Sequence, residues 1–241
     1  MELDPLIRFL SREHRTVPSG LYARSSGYKE YARFPSISLP GARTLDMSIE
    51  QALRERSSVR EFSNRPLTTD ELSTILLWSA GDLQTSAGTR PPKRPHPSGG
   101  ALYPIEIYPL VLNVAEVEPG VYHYNIKKHA LEKLIPVKFE EVLGSFVTQR
   151  EVIKQAGVML LFSFIKSRSM GKYGELAYKL AFLEGGHIGQ NIQLVSTALG
   201  LSSCPFGTSM NQLNEILTLD GVGEFIFYGL CVGHMADKEN L

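Results

Sequence analysis

The sequence predicts an α+β fold, and three observations lead to that prediction. Residues 121–124 and 130–135 are two strand-type runs on either side of a polar turn, which is the pattern of a β-hairpin. Residues 157–165 form an almost continuous apolar run, typical of a strand buried on both faces. Residues 173–199 contain no proline and repeat apolar side chains at helical spacing. Because helices and strands are interleaved without a linker or repeat, residues 46–241 are predicted to form a single domain.

The composition excludes several classes of function. Lys and Arg together number 25, as do Asp and Glu, so no net charge draws the chain to nucleic acid or to an anionic membrane. The chain has two cysteines, and no Cys or His spacing matches a structural zinc site. We therefore expect no nucleic-acid partner, no membrane and no bound metal. Residues 1–15 carry acids and arginines where a secretory signal needs an apolar core, which favours a cytoplasmic protein.

Residues 1–45 are predicted to be an extended N-terminal arm. After a short amphipathic piece they become rich in Ser, Gly, Pro and Tyr. The aromatic rings of Tyr28, Tyr31 and Phe34 suit packing on an apolar surface. That surface is either the body of the same chain or a partner subunit, and the sequence does not choose between them.

Two helix starts follow the arm. Ser48 and Gln51 have the spacing of a capping box, which predicts that a helix begins there. Thr68 and Glu71 form a clearer box, and the helix that they begin is predicted to end before Gly81. The link between the two helices lies where free backbone N–H groups can help to bind an anion.

This link contains residues 56–60, the arginine segment. Arg56 and Arg60 each carry a guanidinium group that can give two parallel hydrogen bonds to an oxyanion. Ser57 and Ser58, between them, can add neutral hydrogen bonds. Two interpretations are open at this point, a phosphate-binding site and a solvated basic turn.

The loop of residues 82–100 contains four prolines and ends in Pro97, Ser98, Gly99 and Gly100. Prolines restrict the backbone, whereas adjacent glycines let it approach a flat ligand without a Cβ in the way. The alternative is a connector that binds nothing.

Residues 105–114 are predicted to be a strand in which Pro109 requires an edge position or a bulge. His123 and His129 are interpreted as strand-face and turn residues, because nothing nearby completes a set of metal ligands. Residues 139–150 have the pattern of an amphipathic helix.

The long helix predicted over residues 173–199 has three interior glycines: Gly185, Gly186 and Gly189. Each costs roughly 1 kcal/mol against alanine, so we expect another backbone to approach closely here, within the subunit or across a two-fold axis. Glu184 and His187 have the spacing of a di-iron motif, but the second copy that such a site needs does not occur.

A loop over residues 201–208, a short helix over 210–217 and a strand over 224–232 are predicted to complete the domain. Cys204 is interpreted as a small packed residue in that loop. A nucleophilic role would need a neighbouring base, and none is identifiable.

Five motifs follow one another along the chain: Arg-Ser-Ser-Val-Arg-Glu-Phe at 56–62, Pro-Ser-Gly-Gly-Ala-Leu-Tyr-Pro at 97–104, Pro-Gly-Val-Tyr-His-Tyr-Asn at 119–125, Glu-Gly-Gly-His-Ile-Gly-Gln-Asn at 184–191 and Val-Gly at 232–233. In this order they resemble the FMN-dependent nitroreductase superfamily. Ala101-Leu102-Tyr103-Pro104 stands where many nitroreductases have Asn-x-Gln-Pro-Trp, and this resembles the SagB-type dehydrogenases within the superfamily.

The resemblance implies a nitroreductase-like sheet flanked by helices in an intertwined homodimer, with one FMN in each of two clefts at the dimer interface. It assigns the FMN phosphate to Arg56, Ser57, Ser58 and Arg60. The loop of Pro97, Ser98, Gly99 and Gly100 is implied to lie along the flavin ring, from the same or the other subunit. A second ring-facing loop is implied for Cys204, Pro205, Phe206 and Gly207.

SagB-type enzymes include azoline oxidases, which convert thiazoline or oxazoline rings in peptides to thiazoles or oxazoles. A Lys-Tyr pair ahead of the long helix is implicated in their catalysis, and Lys172-Tyr173 matches that pair. The resemblance therefore implies hydride transfer between a small or peptide heterocyclic substrate and flavin N5. Lys172 would be the base and Tyr173 a proton donor or relay. A solvated helix start is the alternative interpretation of this pair.

Two other functions are compatible with the resemblance. One is a reductase of nitro compounds or quinones that takes its electrons from NAD(P)H. The other is a flavin-binding protein without turnover, acting as a partner in a modification complex.

Overall fold

The computed structural model describes residues 28–83, 93–135, 155–206 and 210–236. Within them seven strands form one sheet: β1 (Ser36–Ser38), β2 (Ile105–Val111), β3 (Gly120–Asn125), β4 (Ala130–Ile135), β5 (Val158–Ile165), β6 (Ser202–Phe206) and β7 (Glu224–Gly233). The strand order is β1-β4-β3-β2-β5-β7-β6, and all neighbouring pairs are antiparallel. Because helices flank an antiparallel sheet, the α+β prediction is confirmed.

The α-helices of the same ranges are α1 (Ile49–Glu55), α2 (Thr69–Ala80), α3 (Met170–Tyr173), α4 (Leu176–Ala198) and α5 (Met210–Ile216). Ser48 accepts a hydrogen bond from Gln51 N at the start of α1. Thr68 and Glu71 form both halves of the predicted capping box of α2, which ends at Gly81. No described helix combines the length and apolar character that crossing a bilayer requires.

Each face of the sheet carries its own hydrophobic core, because side chains alternate between the faces along every strand. On β5, Leu160 and Phe162 join a core shared with α2 and α4. Met159 and Leu161 join the core on the other face, which also contains Leu213 of α5. The prediction that this strand is buried on both faces is confirmed.

The prediction that Pro109 needs an edge position or a bulge is wrong. β2 lies inside the sheet, and its pairing with β5 runs without a register shift. Ile165 N donates to Pro104 O and Leu112 N to Gly157 O, so the even-numbered residues of β2 point their N–H and C=O groups towards β5. Pro109 therefore faces β3, where registered pairing begins only at the next residue, and its missing N–H leaves no ladder bond unmade.

The long helix begins later than predicted. Lys172 and Tyr173 belong to the four-residue helix α3, and Gly174, with φ of +53°, separates it from α4. This left-handed conformation ends α3, so α4 starts at Leu176 and spans about 35 Å.

Two of the three glycines of α4 accommodate aromatic side chains of the same chain. A Cβ on Gly185 would lie 2.7 Å from the ring of Phe227, and one on Gly189 would lie 2.8 Å from the ring of Tyr228. Both rings come from β7, which packs against this helix. A Cβ on Gly186 would have no neighbour within 4 Å, so the described chain gives no reason for that glycine.

The segment predicted as a loop over residues 201–208 contains strand β6. It lies at one edge of the sheet, where Pro205 can be tolerated. Strand pairing with β7 along its whole length outweighs the turn character of the sequence. The predicted helix over residues 139–150 lies outside the described residues.

The described part of the predicted arm, residues 28–45, contacts the body of the same chain. Tyr28 OH donates to Asp82 at 2.6 Å, and Lys29 Nζ lies 2.5 Å from Glu224 Oε2. A little further on, the chain adds the short edge strand β1, which the sequence analysis did not predict.

Candidate functional site

The arginine segment lies between α4 and β6. Arg56 ends α1, and its Nη1 donates to Oε1 of Gln193 on α4 at 3.3 Å. Val59 N donates to Ser203 O at 3.1 Å, which holds the segment alongside β6. The fold therefore brings together two of the predicted cofactor-binding stretches, residues 56–60 and 204–206.

The segment carries positive charge that no described carboxylate neutralises. Within the described ranges, neither Arg56 nor Arg60 forms an ion pair. Arg56 is half-buried, whereas Ser57, Ser58 and Arg60 are exposed. Two guanidinium groups and two hydroxyl groups make a donor set that fits a phosphate.

On β6, Cys204 is buried and close to this charge. Burial raises the pKa of its thiol, and the charge of Arg60 acts in the opposite direction without cancelling that effect. The thiol is therefore protonated at neutral pH, which agrees with a packed side chain and not with a nucleophile. Pro205 is half-buried and Phe206 buried, and Gly207 lies outside the described residues.

Residues 98–103, which we call the glycine turn, join the predicted ring-facing loop to β2. A Cβ on Gly99 would lie 3.1 Å from Leu180 Cδ1. At Gly100, where φ is +63°, a Cβ would lie 2.7 Å from Lys172 Nζ and 2.8 Å from Tyr173 Oη. The backbone of the turn thus touches the predicted catalytic pair, with no room for a side chain between them. Pro97, just before the turn, is exposed.

Lys172 and Tyr173 are both half-buried in α3. Lys172 Nζ lies 5.2 Å from the centroid of the Tyr173 ring, within the range of a cation–π interaction. The amine and the phenol therefore face the same stretch of backbone. The catalytic role of the pair stays a prediction.

A buried carboxylate of α4 contacts the glycine turn. Ser98 Oγ donates to Glu184 Oε2 at 2.5 Å, and Tyr103 N donates to Ser98 Oγ at 2.9 Å. The other oxygen, Glu184 Oε1, lies 3.5 Å from His96 Nε2, and the two side chains are 2% and 0% exposed.

A second buried network reaches the same turn. Arg168 Nη1 donates to Tyr103 O at 2.9 Å, and its Nη2 lies 2.5 Å from Glu106 Oε1. His123 lies between Glu106 and Glu132, with one ring nitrogen 2.8 Å from each carboxylate. Burial lowers the pKa of His123, but the two carboxylates outweigh burial and raise it. Burial raises the pKa of Glu106, but His123 and Arg168 outweigh burial and hold it at about 2.

The two halves of the predicted site contact α4 at different levels. Arg56 meets the helix at Gln193 and Ser98 meets it at Glu184, nine residues earlier and on the order of 13 Å away along the helix axis. An elongated ligand with an anionic end and a flat ring suits this separation. The guanidinium and hydroxyl donors at one level and the glycine backbone at the other both fit FMN.

Sequence reasoning missed Gln193 and did not connect Glu184 or Arg168 with the glycine turn. One signal pointed to Glu184, since it shares a helical face with the apolar residues Ala181 and Ile188, where a carboxylate needs a buried partner. Across the described ranges, no group of three or more His, Cys, Asp or Glu side chains is arranged so that it could hold a metal ion.

Sequence comparison finds relatives along most of the chain. A model of the nitroreductase family matches residues 53–234. A protein of Methanocaldococcus jannaschii that is described as a nitroreductase is 33% identical over 175 residues, which are 72% of this chain and 86% of that protein.

Two shorter matches are to bacterial processing proteins. The trifolitoxin-processing protein TfxB of Rhizobium leguminosarum bv. trifolii is 36% identical over 130 residues, which are 52% of this chain and 35% of TfxB. The microcin B17-processing protein McbC of Escherichia coli is 33% identical over 116 residues, which are 46% of this chain and 43% of McbC. The chain thus matches less than half the length of these two proteins.

Solved structures share the fold. A protein of Ralstonia eutropha described as a nitroreductase has a TM-score of 0.71 at 24% identity, over 94% of this chain and all of the other. A chain of the E. coli microcin synthetase McbBCD complex has a TM-score of 0.65 at 22% identity, over 98% of this chain and 83% of the other. A protein of Desulfovibrio desulfuricans in complex with FMN has a TM-score of 0.54 at 17% identity, over 80% and 88% of the two chains.

Proposed function

The chain belongs to the nitroreductase family of oxidoreductases, and we propose that it is an FMN-dependent enzyme of the SagB type. The proposed reaction is hydride transfer between a small or peptide heterocyclic substrate and flavin N5. The expected nitroreductase-like fold is confirmed by the likeness to solved structures. A peptide-derived substrate is supported by TfxB and McbC, whose names describe them as processing proteins.

One observation carries the proposal. Lys172 Nζ and Tyr173 Oη lie against the backbone of Gly100, in the loop that we assign to the flavin ring. A base and a phenol at the ring-facing loop are what removal of a proton from carbon needs when a hydride leaves the same substrate. A reductase of nitro compounds has no such need for a base at the ring.

Binding of FMN is assigned to the two halves of the site. Arg56, Ser57, Ser58 and Arg60 would hold the phosphate, and the glycine turn together with 204–207 would face the ring. FMN supplies the acceptor and donor of the hydride, which no amino-acid side chain provides. The D. desulfuricans relative, described in complex with FMN, supports this cofactor.

The catalytic roles follow from the functional groups. Lys172 Nζ would take the proton from the substrate carbon, and Tyr173 Oη would relay that proton away, so that the substrate ring loses one proton and one hydride in total. Buried surroundings on the protein side of the turn exclude water from that side.

We also infer a homodimer. Phe182 and Leu183 on α4 are 48% and 53% exposed, and a surface cavity of about 370 Å³ is lined by Phe182, Gly186, Phe227 and Tyr228. Covering this apolar surface with a second copy removes it from water. Sedimentation equilibrium should give twice the chain mass of 26.8 kDa, and Phe182→Asp should shift it towards the monomer. A monomer at micromolar concentration would contradict the dimer.

The experiment that tests the function is spectroscopic. The purified protein, or the apo-protein after incubation with FMN, should show the absorbance of bound oxidised flavin. Adding an azoline-containing peptide without oxygen should bleach that absorbance, and air should restore it. A protein that stays colourless and takes up no FMN overturns the proposal.

A second candidate is an NAD(P)H-dependent reductase of nitro compounds or quinones. The M. jannaschii relative, described as a nitroreductase and matched over 72% of this chain, favours it. Bleaching by NAD(P)H with steady turnover of a nitro compound or quinone, and no bleaching by azolines, would support this candidate over the first.

A further inference from the structure

The glycine turn has an unusual backbone. Gly100, Ala101 and Tyr103 have φ values of +63°, +53° and +47°, so three of its residues are left-handed and two of these carry a side chain. Non-glycine residues in this conformation are strained, and they persist only where the surroundings over-determine the backbone. The neighbours of the turn must therefore supply that constraint.

The first constraint comes from α4. The Glu184 carboxylate accepts from Ser98 Oγ, and the same oxygen of Ser98 accepts from Tyr103 N, which closes the turn on itself. Glu184 is 2% exposed, so this hydrogen bond to a charged group is shielded from water. The other oxygen, Glu184 Oε1, lies 3.5 Å from His96 Nε2 without a hydrogen bond, so Ser98 makes the hydrogen bond that joins this carboxylate to the turn.

The second constraint comes from the opposite side of Tyr103. Arg168 donates to Tyr103 O while it pairs with Glu106 in the sheet. The peptide groups on both sides of Tyr103 are thus fixed by side chains, the half-buried Ser98 on one side and the buried Arg168 on the other. One leads to α4 and the other to β2.

We propose that Glu184 and Arg168 are positioning residues, which hold the glycine turn in its strained conformation and thereby set the places of Lys172 Nζ and Tyr173 Oη. The consequence for catalysis rests on the proposed function, because the turn touches the pair that we assign to proton transfer. The constraint on the turn itself requires no cofactor.

Glu184 and Ser98 give the sharper test, because removing Arg168 would also break its buried ion pair with Glu106. The variants are Glu184→Ala, Ser98→Ala, their double variant and the conservative Glu184→Gln. Glu215→Ala, which removes an exposed carboxylate on α5, is the matched control. Amide hydrogen exchange is measured on the apo-proteins, and the dissociation constant of FMN and azoline turnover on the loaded ones.

We expect exchange at residues 98–103 to rise about tenfold in Glu184→Ala and in Ser98→Ala, and kcat to fall about tenfold with little change in KM. The double variant should match Ser98→Ala, because without the Ser98 hydroxyl the Glu184 carboxylate has no hydrogen bond to the turn left to lose. Glu184→Gln should restore most of the activity, since its amide oxygen still accepts from Ser98. Glu215→Ala should leave all three measurements unchanged.

The outcomes separate this inference from the proposed function. If exchange rises as expected but no variant binds FMN, the anchoring stands and the proposed function fails. If the loaded wild type oxidises azolines while exchange and kcat in Glu184→Ala equal the wild-type values, the positioning role is wrong. Additive losses in the double variant would also overturn it.

Discussion

Arg56 and Arg60 end in guanidinium groups that no described carboxylate neutralises, whereas the glycine turn is held by two buried side chains that are fixed by the core. The arginine segment lies at the end of a seven-residue helix and is mostly exposed. The glycine turn is strained and connects to the ion network of Glu106, His123 and Arg168. Both regions belong to one proposed FMN site.

The arginine segment and the glycine turn contribute to a binding site in two different ways. Uncompensated charge at the surface provides affinity for an anion without supporting the fold, so its removal should affect binding alone. A strained turn held by buried groups provides geometry, so its removal should affect local stability and turnover together. The following predictions test that separation, beginning with the largest effect.

Removing both guanidinium groups should have the largest effect on cofactor binding. In Arg56→Ala/Arg60→Ala we expect the dissociation constant of FMN to rise at least about 100-fold, or roughly 3 kcal/mol, because two hydrogen bonds to charged groups are lost. The melting temperature of the apo-protein should change by no more than about 2 °C. Fluorescence titration and thermal denaturation measure the two quantities.

Arg54→Ala/Arg65→Ala is the matched control, since it removes the same charge from exposed positions on either side of the segment. It should leave FMN affinity within about threefold of wild type. An equal loss in the control would show that net charge, and not the arginine segment, determines binding.

Acid should destabilise the glycine turn, whereas the arginine side chains stay charged throughout the acid range. The folded-state pKa of Glu106 is about 2, below its ordinary value of 4.5, so its stabilising contribution is complete above pH 4.5 and is lost as pH falls towards 2. That loss is on the order of 3 kcal/mol. The pKa of His123 is raised, so its contribution is complete below pH 6.5 and declines as pH rises beyond its folded-state pKa.

The network should therefore be most stable between about pH 4.5 and 6.5. Below pH 4 the melting temperature should fall. The protection of the amides of residues 98–103, measured against the intrinsic exchange rate at the same pH, should fall with it. In His123→Gln the decline on the alkaline side should disappear. If the protection of these amides at pH 3 equals that at pH 5.5, the network does not support the turn.

The two regions also differ in how far sequence predicted them. The arginine segment is a local feature, because its donors lie within five consecutive residues and its position follows from the end of α1. The glycine turn was predicted to approach a flat ligand from its two glycines, but its anchors are far away in the chain. Ser98 and Glu184 are 86 residues apart, and Tyr103 and Arg168 are 65 apart.

The fold shows the same division. Caps, the hairpin and the apolar strand β5 depend on short-range patterns and were predicted correctly. Strand β6 and the interior position of Pro109 depend on pairing with distant strands, which no local pattern specifies. The aromatic rings against Gly185 and Gly189 come from β7, about 40 residues later, so this contact also depends on packing that no local pattern specifies.

Lys172→Ala tests the chemistry that the turn supports. We expect azoline turnover to fall at least tenfold, or about 1.4 kcal/mol, while FMN remains bound, because a general base is lost and no phosphate contact changes. Lys179→Ala, on the next helix, removes an equal charge as the control. Turnover within twofold of wild type in Lys172→Ala would remove this residue from the mechanism.

The smallest effect should come from Ser57→Ala, and comparison with Ser98→Ala makes it informative, because the same hydroxyl group is removed from each region. Ser57 is exposed and its proposed hydrogen bond to phosphate is neutral on the donor side, so the dissociation constant of FMN should rise only about two- to threefold. Amide exchange in the glycine turn should stay at the wild-type rate, whereas Ser98→Ala raises it about tenfold, since Ser98 joins the turn to a buried carboxylate. Calorimetric titration and exchange on the two variants measure this contrast directly. Similar effects from both serines would mean that the hydroxyl's link to the core does not determine its contribution, and the distinction between the two regions would then rest on the arginines alone.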